Sequence, residues 1–140
     1  MEKKEAALRY FRAGYNCAQS VILACAGERD DLTRAAAAFG GGMGRLQKTC
    51  GAVTGAYIFF GLNWASPGLP GEEDKLKVYE RVRSFNRLFR ERNGTDLCSE
   101  LLGEDLNTDE GRARIKELRL TERVCEKCIT DAIEIIEGLG

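Results

Sequence analysis

The sequence predicts an all-α fold: a compact single-domain bundle of about five to seven helices over residues 1–140. Three observations predict it. Almost nothing in the chain alternates with period two, so no strand pattern competes. Apolar residues recur at helical spacing, most cleanly at positions 76, 79, 82, 85 and 89. Both prolines fall in one loop, Ser66-Pro67-Gly68-Leu69-Pro70-Gly71, which divides the chain into two halves and leaves the rest free of helix breakers. A chain of 140 residues suits one domain and buries enough surface to fold without disulfides.

Residues 3–13 predict a short amphipathic helix with Ala7, Leu8, Tyr10 and Phe11 on its apolar side, stopped by Gly14. Asn16 then reads as an N-cap, with Gln19 completing a capping box, for a helix from Cys17 through Cys25 to Gly27. Residues 33–39 form a short alanine-rich helix, and Gly40-Gly41-Gly42-Met43-Gly44 a flexible turn. Thr49 is the expected cap of a helix over Cys50 to Phe60. There Gly51 and Gly55, and Ala52 and Ala56, make a stripe of small residues that admits a second helix backbone, which marks the central buried helix. Beyond the loop, Glu72 to Arg92 is a long helix ended by Gly94. Thr95 or Asp96 caps a short helix through Cys98, Leu101 and Leu102. Thr108 caps Asp109 to Leu118, and Thr121 caps the last helix, through Cys125, Cys128, Ile129 and Ile136.

Composition narrows the chemistry. With 21 basic and 22 acidic residues the formal net charge is −1, so no overall field favours nucleic acid or an acidic membrane. The arginines of residues 81–92 have acidic residues close by and read as a solvated helix face. No leader pattern stands at the N-terminus, and the longest apolar run, Gly51 to Leu62, is too short to span a bilayer. A cytoplasmic protein without direct membrane insertion is expected. Six cysteines occur and no histidine. Histidine-dependent triads, histidine zinc ligands and histidine-ligated haem are therefore excluded. In a reducing compartment, cysteines at this density point to redox or metal chemistry rather than structural bridges.

Four of the six fall in or near the first turn of an expected helix: Cys17, Cys50, Cys98 and Cys125. Helix N-termini carry free amides and partial positive charge, which favour the thiolate, the form that attacks disulfides and binds metals. Gly51 and Gly55 leave room beside Cys50 for a second sulfur, a metal centre or a substrate, and Arg45 and Lys48 add positive charge there. Cys25, on the apolar side of its helix, reads as a small core residue. Cys128 shares a helix face with Cys125, either as a dithiol partner or packed inside.

Phe11-Arg-Ala-Gly-Tyr-Asn-Cys17-Ala-Gln-Ser-Val, Gly40-Gly-Gly-Met-Gly-Arg45, Cys50-Gly-Ala-Val-Thr-Gly55-Ala, Cys98-Ser-Glu-Leu-Leu-Gly103 and Cys125 before a final amphipathic helix together resemble, in the same order, the C-GCAxxG-C-C or CGAxxG family of small redox-active proteins. The resemblance covers nearly the whole chain. It implies a redox role and a gene frequently encoded beside those of transporters. The family's four cysteines carry over onto Cys17, Cys50, Cys98 and Cys125, with Cys128 competing for the last place; Cys25 and Cys128 stand as additions. The resemblance supplies no reaction.

The leading expectation is dithiol–disulfide chemistry, with Cys17 and Cys50 cycling and Cys98 and Cys125 resolving, in a protein of thiol–disulfide oxidoreductase type serving an unidentified redox partner. The alternative is an iron–sulfur or zinc site built from Cys17, Cys50, Cys98, Cys125 and Cys128. A third is a non-catalytic adaptor or small-molecule binding domain associated with a transporter. The Lys75–Arg92 helix, carrying Tyr79, Phe85 and Phe89, could then serve a homodimer or another partner.

Overall fold

The structure is a computed structural model that describes residues 2–69 and 71–140. Among these residues eight α-helices occur and no strands: α1 (Lys3–Ala13), α2 (Cys17–Ala26), α3 (Asp30–Ala36), α4 (Gly51–Trp64), α5 (Glu72–Asn93), α6 (Cys98–Leu102), α7 (Asp109–Glu117) and α8 (Glu126–Leu139). A 3-10 turn, Ala37–Phe39, continues α3, and a π-helical turn, Thr121–Cys125, leads into α8. The all-α expectation holds. The count exceeds five to seven, and two of the eight are the short α3 and α6. Of the expected loop at 66–71, Pro70 lies outside the described residues.

The hydrophobic centre is α4. Its first six residues, Gly51 to Ala56, are all buried, because helices cover it on several sides. α2 lies closest, and the glycine stripe explains why. A Cβ on Gly55 would stand 2.8 Å from the carbonyl oxygen of Ala18, and one on Gly51 would stand 3.0 Å from the Cβ of Cys17. Neither approach leaves room for a side chain. The other side of α4 meets α5 and α8. There Phe60, Phe85 and Phe89 pack with ring centroids 5.8–5.9 Å apart, each essentially without solvent contact. Phe85 and Phe89 therefore belong to the core rather than to a partner surface, while Tyr79 stays exposed.

Local signals explain most boundaries. The Asn16 carboxamide accepts from the Gln19 amide at 2.9 Å, and the Gln19 side chain accepts from the Asn16 amide at 3.1 Å, completing the expected capping box. Thr108 accepts from the Gly111 amide at 2.9 Å. α3 starts three residues before Thr33, at Asp30, since Asp30 and Asp31 favour the positive end of a helix.

Three expected caps fail. Thr49 is instead paired with Leu97 in an isolated antiparallel bridge, so the N-cap of α4 is Cys50. The same bridge makes Leu97, not Thr95 or Asp96, the N-cap of α6. Thr121 opens the π-turn and makes no side-chain capping bond there, so Cys125 sits inside a continuous helical path rather than at its start.

The segment 40–44 is more ordered than the flexible turn its glycines suggest. Gly41, Gly42, Met43, Gly44 and Arg45 have φ of 61°, 68°, 68°, 58° and 61°, one turn of left-handed helix. Backbone bonds from Arg45 to Gly40, Gln47 to Gly41 and Lys48 to Gly42, at 3.0–3.1 Å, close it. Each non-glycine residue held in this region costs on the order of 1–2 kcal/mol, so tertiary contacts must maintain it. One contact is visible: a Cβ on Gly42 would meet the Cβ of Cys98 at 2.7 Å.

Candidate functional site

Five of the six cysteines line one cavity of about 590 Å³. Cys17 comes from the first residue of α2, Cys50 from the cap of α4, Cys98 from the first residue of α6, Cys125 from the end of the π-turn, and Cys128 from the first turn of α8. The left-handed turn forms part of the same wall, contributing Gly41, Gly42, Gly44 and Arg45. Leu101, Leu102, Leu106, Ile115 and Val124 supply apolar surface. Gly51 also lines the cavity. Gly55 does not; it seats α2 against α4 instead. Lys48 is exposed and outside the lining.

The sulfurs are linked in pairs. Cys128 donates its S–H to Cys50, and Cys17 donates to Cys125. Cys50, Cys98 and Cys128 are buried, with relative exposures of 6%, 8% and 2%; Cys17 and Cys125 are half-buried. Cys25, at the far end of α2, packs against the core outside the cavity, and burial pushes its thiol up to about 11.

The electrostatics are uneven. The Cys50 thiol is held below its ordinary value, first by the Cys128 S–H and then, against the cost of burial, by the Ala52 and Val53 amides at the start of α4. Neither amide makes a side-chain capping bond with Cys50, and that of Val53 also donates to the Cys50 carbonyl at 3.0 Å. Asp96 works against them, and its backbone carbonyl accepts from the Cys50 amide at 2.8 Å. Cys17 goes the other way, pushed well up by the bond to Cys125, then by burial and the neighbouring sulfurs. Cys98 is pushed up to about 12 by burial and by charge on Cys50 and Cys125. Cys128 is also pushed up, first by its bond to Cys50 and then by burial. The expectation that helix starts favour the thiolate therefore fails at Cys17 and Cys98, where burial and like charge outweigh the helix terminus.

A four-thiolate metal centre needs its ligands deprotonated and grouped around one point. Among the described residues no group of three or more cysteine, aspartate or glutamate side chains is arranged to hold one metal ion. Among the described residues no helix is long and apolar enough to cross a membrane.

What sequence reasoning understates is Cys128. Its i, i+3 spacing from Cys125 is the available signal. Its bond to Cys50 depends on how α8 packs against α4, which no local pattern carries.

A family model described as "Putative redox-active protein (C_GCAxxG_C_C)" matches residues 15–139. No curated protein matches the chain, and no solved structure does.

Proposed function

The chain belongs to the C-GCAxxG-C-C family of redox-active proteins, and from that premise we propose that it carries out thiol–disulfide exchange, with Cys50 as attacking thiolate and Cys128 as resolving thiol. The observation that carries this reading is the contrast within the cluster: Cys50 is the thiol held low, and its leading support is the S–H of Cys128. The thiolate of Cys50 attacks one sulfur of a substrate disulfide R–S–S–R′. A Cys50–S–S–R bond forms, the S–S bond of the substrate breaks, and R′S⁻ leaves with the proton of Cys128. Cys50 is then neutral, so the charge and the hydrogen bond that held the Cys128 proton are gone. The Cys128 thiolate attacks the Cys50 sulfur, closes a Cys50–Cys128 disulfide and releases RS⁻. Two electrons pass from the dithiol to the substrate. The exchange is reversible, so the same atoms serve oxidation in the other direction.

Cys17 and Cys125, the second linked pair, are suited to pass electrons between this dithiol and the outside, since both are more exposed. The role of Cys98 in this scheme is steric and electrostatic: it closes the wall as a neutral thiol.

The test is the pH dependence of alkylation, with each modified cysteine identified by mass spectrometry on anaerobically reduced protein. Cys50 is expected to react first, with an apparent pKa below the ordinary cysteine value. Cys50→Ser should abolish exchange with small disulfides while leaving the helical spectrum intact. Full exchange activity in Cys50→Ser overturns the reading.

A further inference from the structure

The geometry of the cavity points to its substrate class: we propose that the site takes a small organic disulfide with an apolar body and one anionic group, and that Arg45 recognises the anion. This rests on the exchange reading above and adds what the exchange acts on.

Size comes first. A cavity of about 590 Å³ lies within the usual range for small-molecule sites. Cys50 and Cys128 sit in its wall with 6% and 2% exposure, so a disulfide fixed on a folded protein surface has no approach to them without opening the bundle. A small molecule entering the cavity reaches both. The walls set the body of the ligand: Phe11, Leu101, Leu106, Ile115 and Val124 offer hydrocarbon, and burying it against them is favourable.

Charge sets the rest. Among the described residues, Arg45 is the one lining residue with a basic or carboxylate side chain. It is exposed and makes no ion pair among the described residues, unlike Arg12, Arg92, Arg112 or Arg114. Its backbone is fixed from both sides. The Arg45 amide donates to the Gly40 carbonyl at 3.1 Å, and the Asn107 side chain donates to the Arg45 carbonyl at 2.8 Å. Its side chain lies against Gly41, where an added Cβ would stand 2.8 Å from the Arg45 Cγ. A residue forced into left-handed backbone, clamped, and left with an unpaired guanidinium in the wall of the cavity that Cys50 also lines suits anion recognition. The cation also offsets the repulsion an anionic substrate meets as it approaches the Cys50 thiolate.

The experiment uses reduced Cys128→Ser protein, in which the hydroxyl keeps a donor on Cys50 and the mixed disulfide is trapped. The rate of adduct formation at Cys50 is measured by quenched-flow mass spectrometry with three probes: anionic 5,5′-dithiobis(2-nitrobenzoate), neutral 4,4′-dithiodipyridine and cationic cystamine. The anionic-to-neutral rate ratio is expected to fall about three- to tenfold in Arg45→Gln at low salt, to recover in Arg45→Lys, and to shrink as ionic strength rises. A ratio unchanged by Arg45→Gln overturns the proposal while the exchange reading stands. So does faster reaction of Cys50 with 2-nitro-5-thiobenzoate presented as a mixed disulfide on a carrier protein than with the free probes. If no probe adds to Cys50 while other cysteines react, the exchange reading fails, and this inference fails with it.

Discussion

The starts of α4 and α6 are near neighbours, yet they treat a cysteine in opposite ways. Both place a buried cysteine where the helix begins, Cys50 as the cap and Cys98 as the first residue, and the Thr49–Leu97 bridge ties these two helix starts together. Cys50 is held below its ordinary value and Cys98 is pushed up to about 12. The difference lies in what reaches each sulfur. At α4, Ala52 and Val53 lean on the Cys50 sulfur, and Cys128 adds an S–H. At α6, the Cys98 amide is spent on the Lys48 carbonyl at 2.7 Å and that of Ser99 on the Gln47 carbonyl at 3.1 Å. Those of Glu100 and Leu101 turn back to the Leu97 carbonyl, just as those of Val53 and Thr54 turn back to the Cys50 carbonyl. α6 is also only five residues long, so its dipole is small. A helix start lowers a thiol where amides of its first turn reach the sulfur and a proton donor stands opposite.

The largest expected effect breaks the comparison directly. At neutral pH Cys50 should alkylate at least about a hundredfold faster than Cys98, because a shift of each pKa unit changes the thiolate fraction about tenfold. Competitive labelling with light and heavy iodoacetamide measures the ratio, and similar rates would remove the distinction. Next in size is steric. Gly51→Ala and Gly42→Ala press a methyl against Cys17 and Cys98 respectively. Each should cost about 1–3 kcal/mol in chemical denaturation, as overpacked cores do, with Gly42→Ala adding strain at φ 68°. Third, Cys128→Ala removes the leading donor to Cys50. The Cys50 alkylation rate at neutral pH should fall several-fold as its pKa rises, while labelling of Cys98 stays slow.

The smallest effect is on stability against pH. The fold raises the Cys98 thiol, so its contribution is fully present below the unfolded value of 9.0 and is lost as pH rises toward about 12. Cys50 has the reverse sign: its contribution is present above the unfolded value and lost as pH falls through its lowered folded value. Urea midpoints of the wild type should decline above pH 9, and Cys98→Ala should decline less steeply. Parallel curves would contradict the assignment at Cys98.

The helices are legible in the sequence because their signals are local. The Asn16–Gln19 box, the Thr108 cap, the apolar stripe of α5 and the small-residue stripe of α4 each occupy a few consecutive turns, and each stands in the structure where the sequence puts it. The cysteine wall is legible in part. Cys17, Cys50, Cys98, Cys125 and Cys128 all line the cavity, but their pairing depends on how α8 and α2 meet α4. Cys125 stands four residues after Thr121, as the sequence puts it, but in a π-turn, which leaves no mark in composition. The left-handed turn at 41–45 reads as slack chain, since glycines announce freedom and not the contact with Cys98 that uses it.

The five cavity cysteines are drawn from α2, the cap of α4, α6, and the junction of the π-turn with α8, so the site spans most of the chain. Contacts so distant in sequence form late in folding. Until then six thiols are free to pair in many wrong ways. An oxidant that reaches the chain before these helices meet therefore finds thiols without their native neighbours.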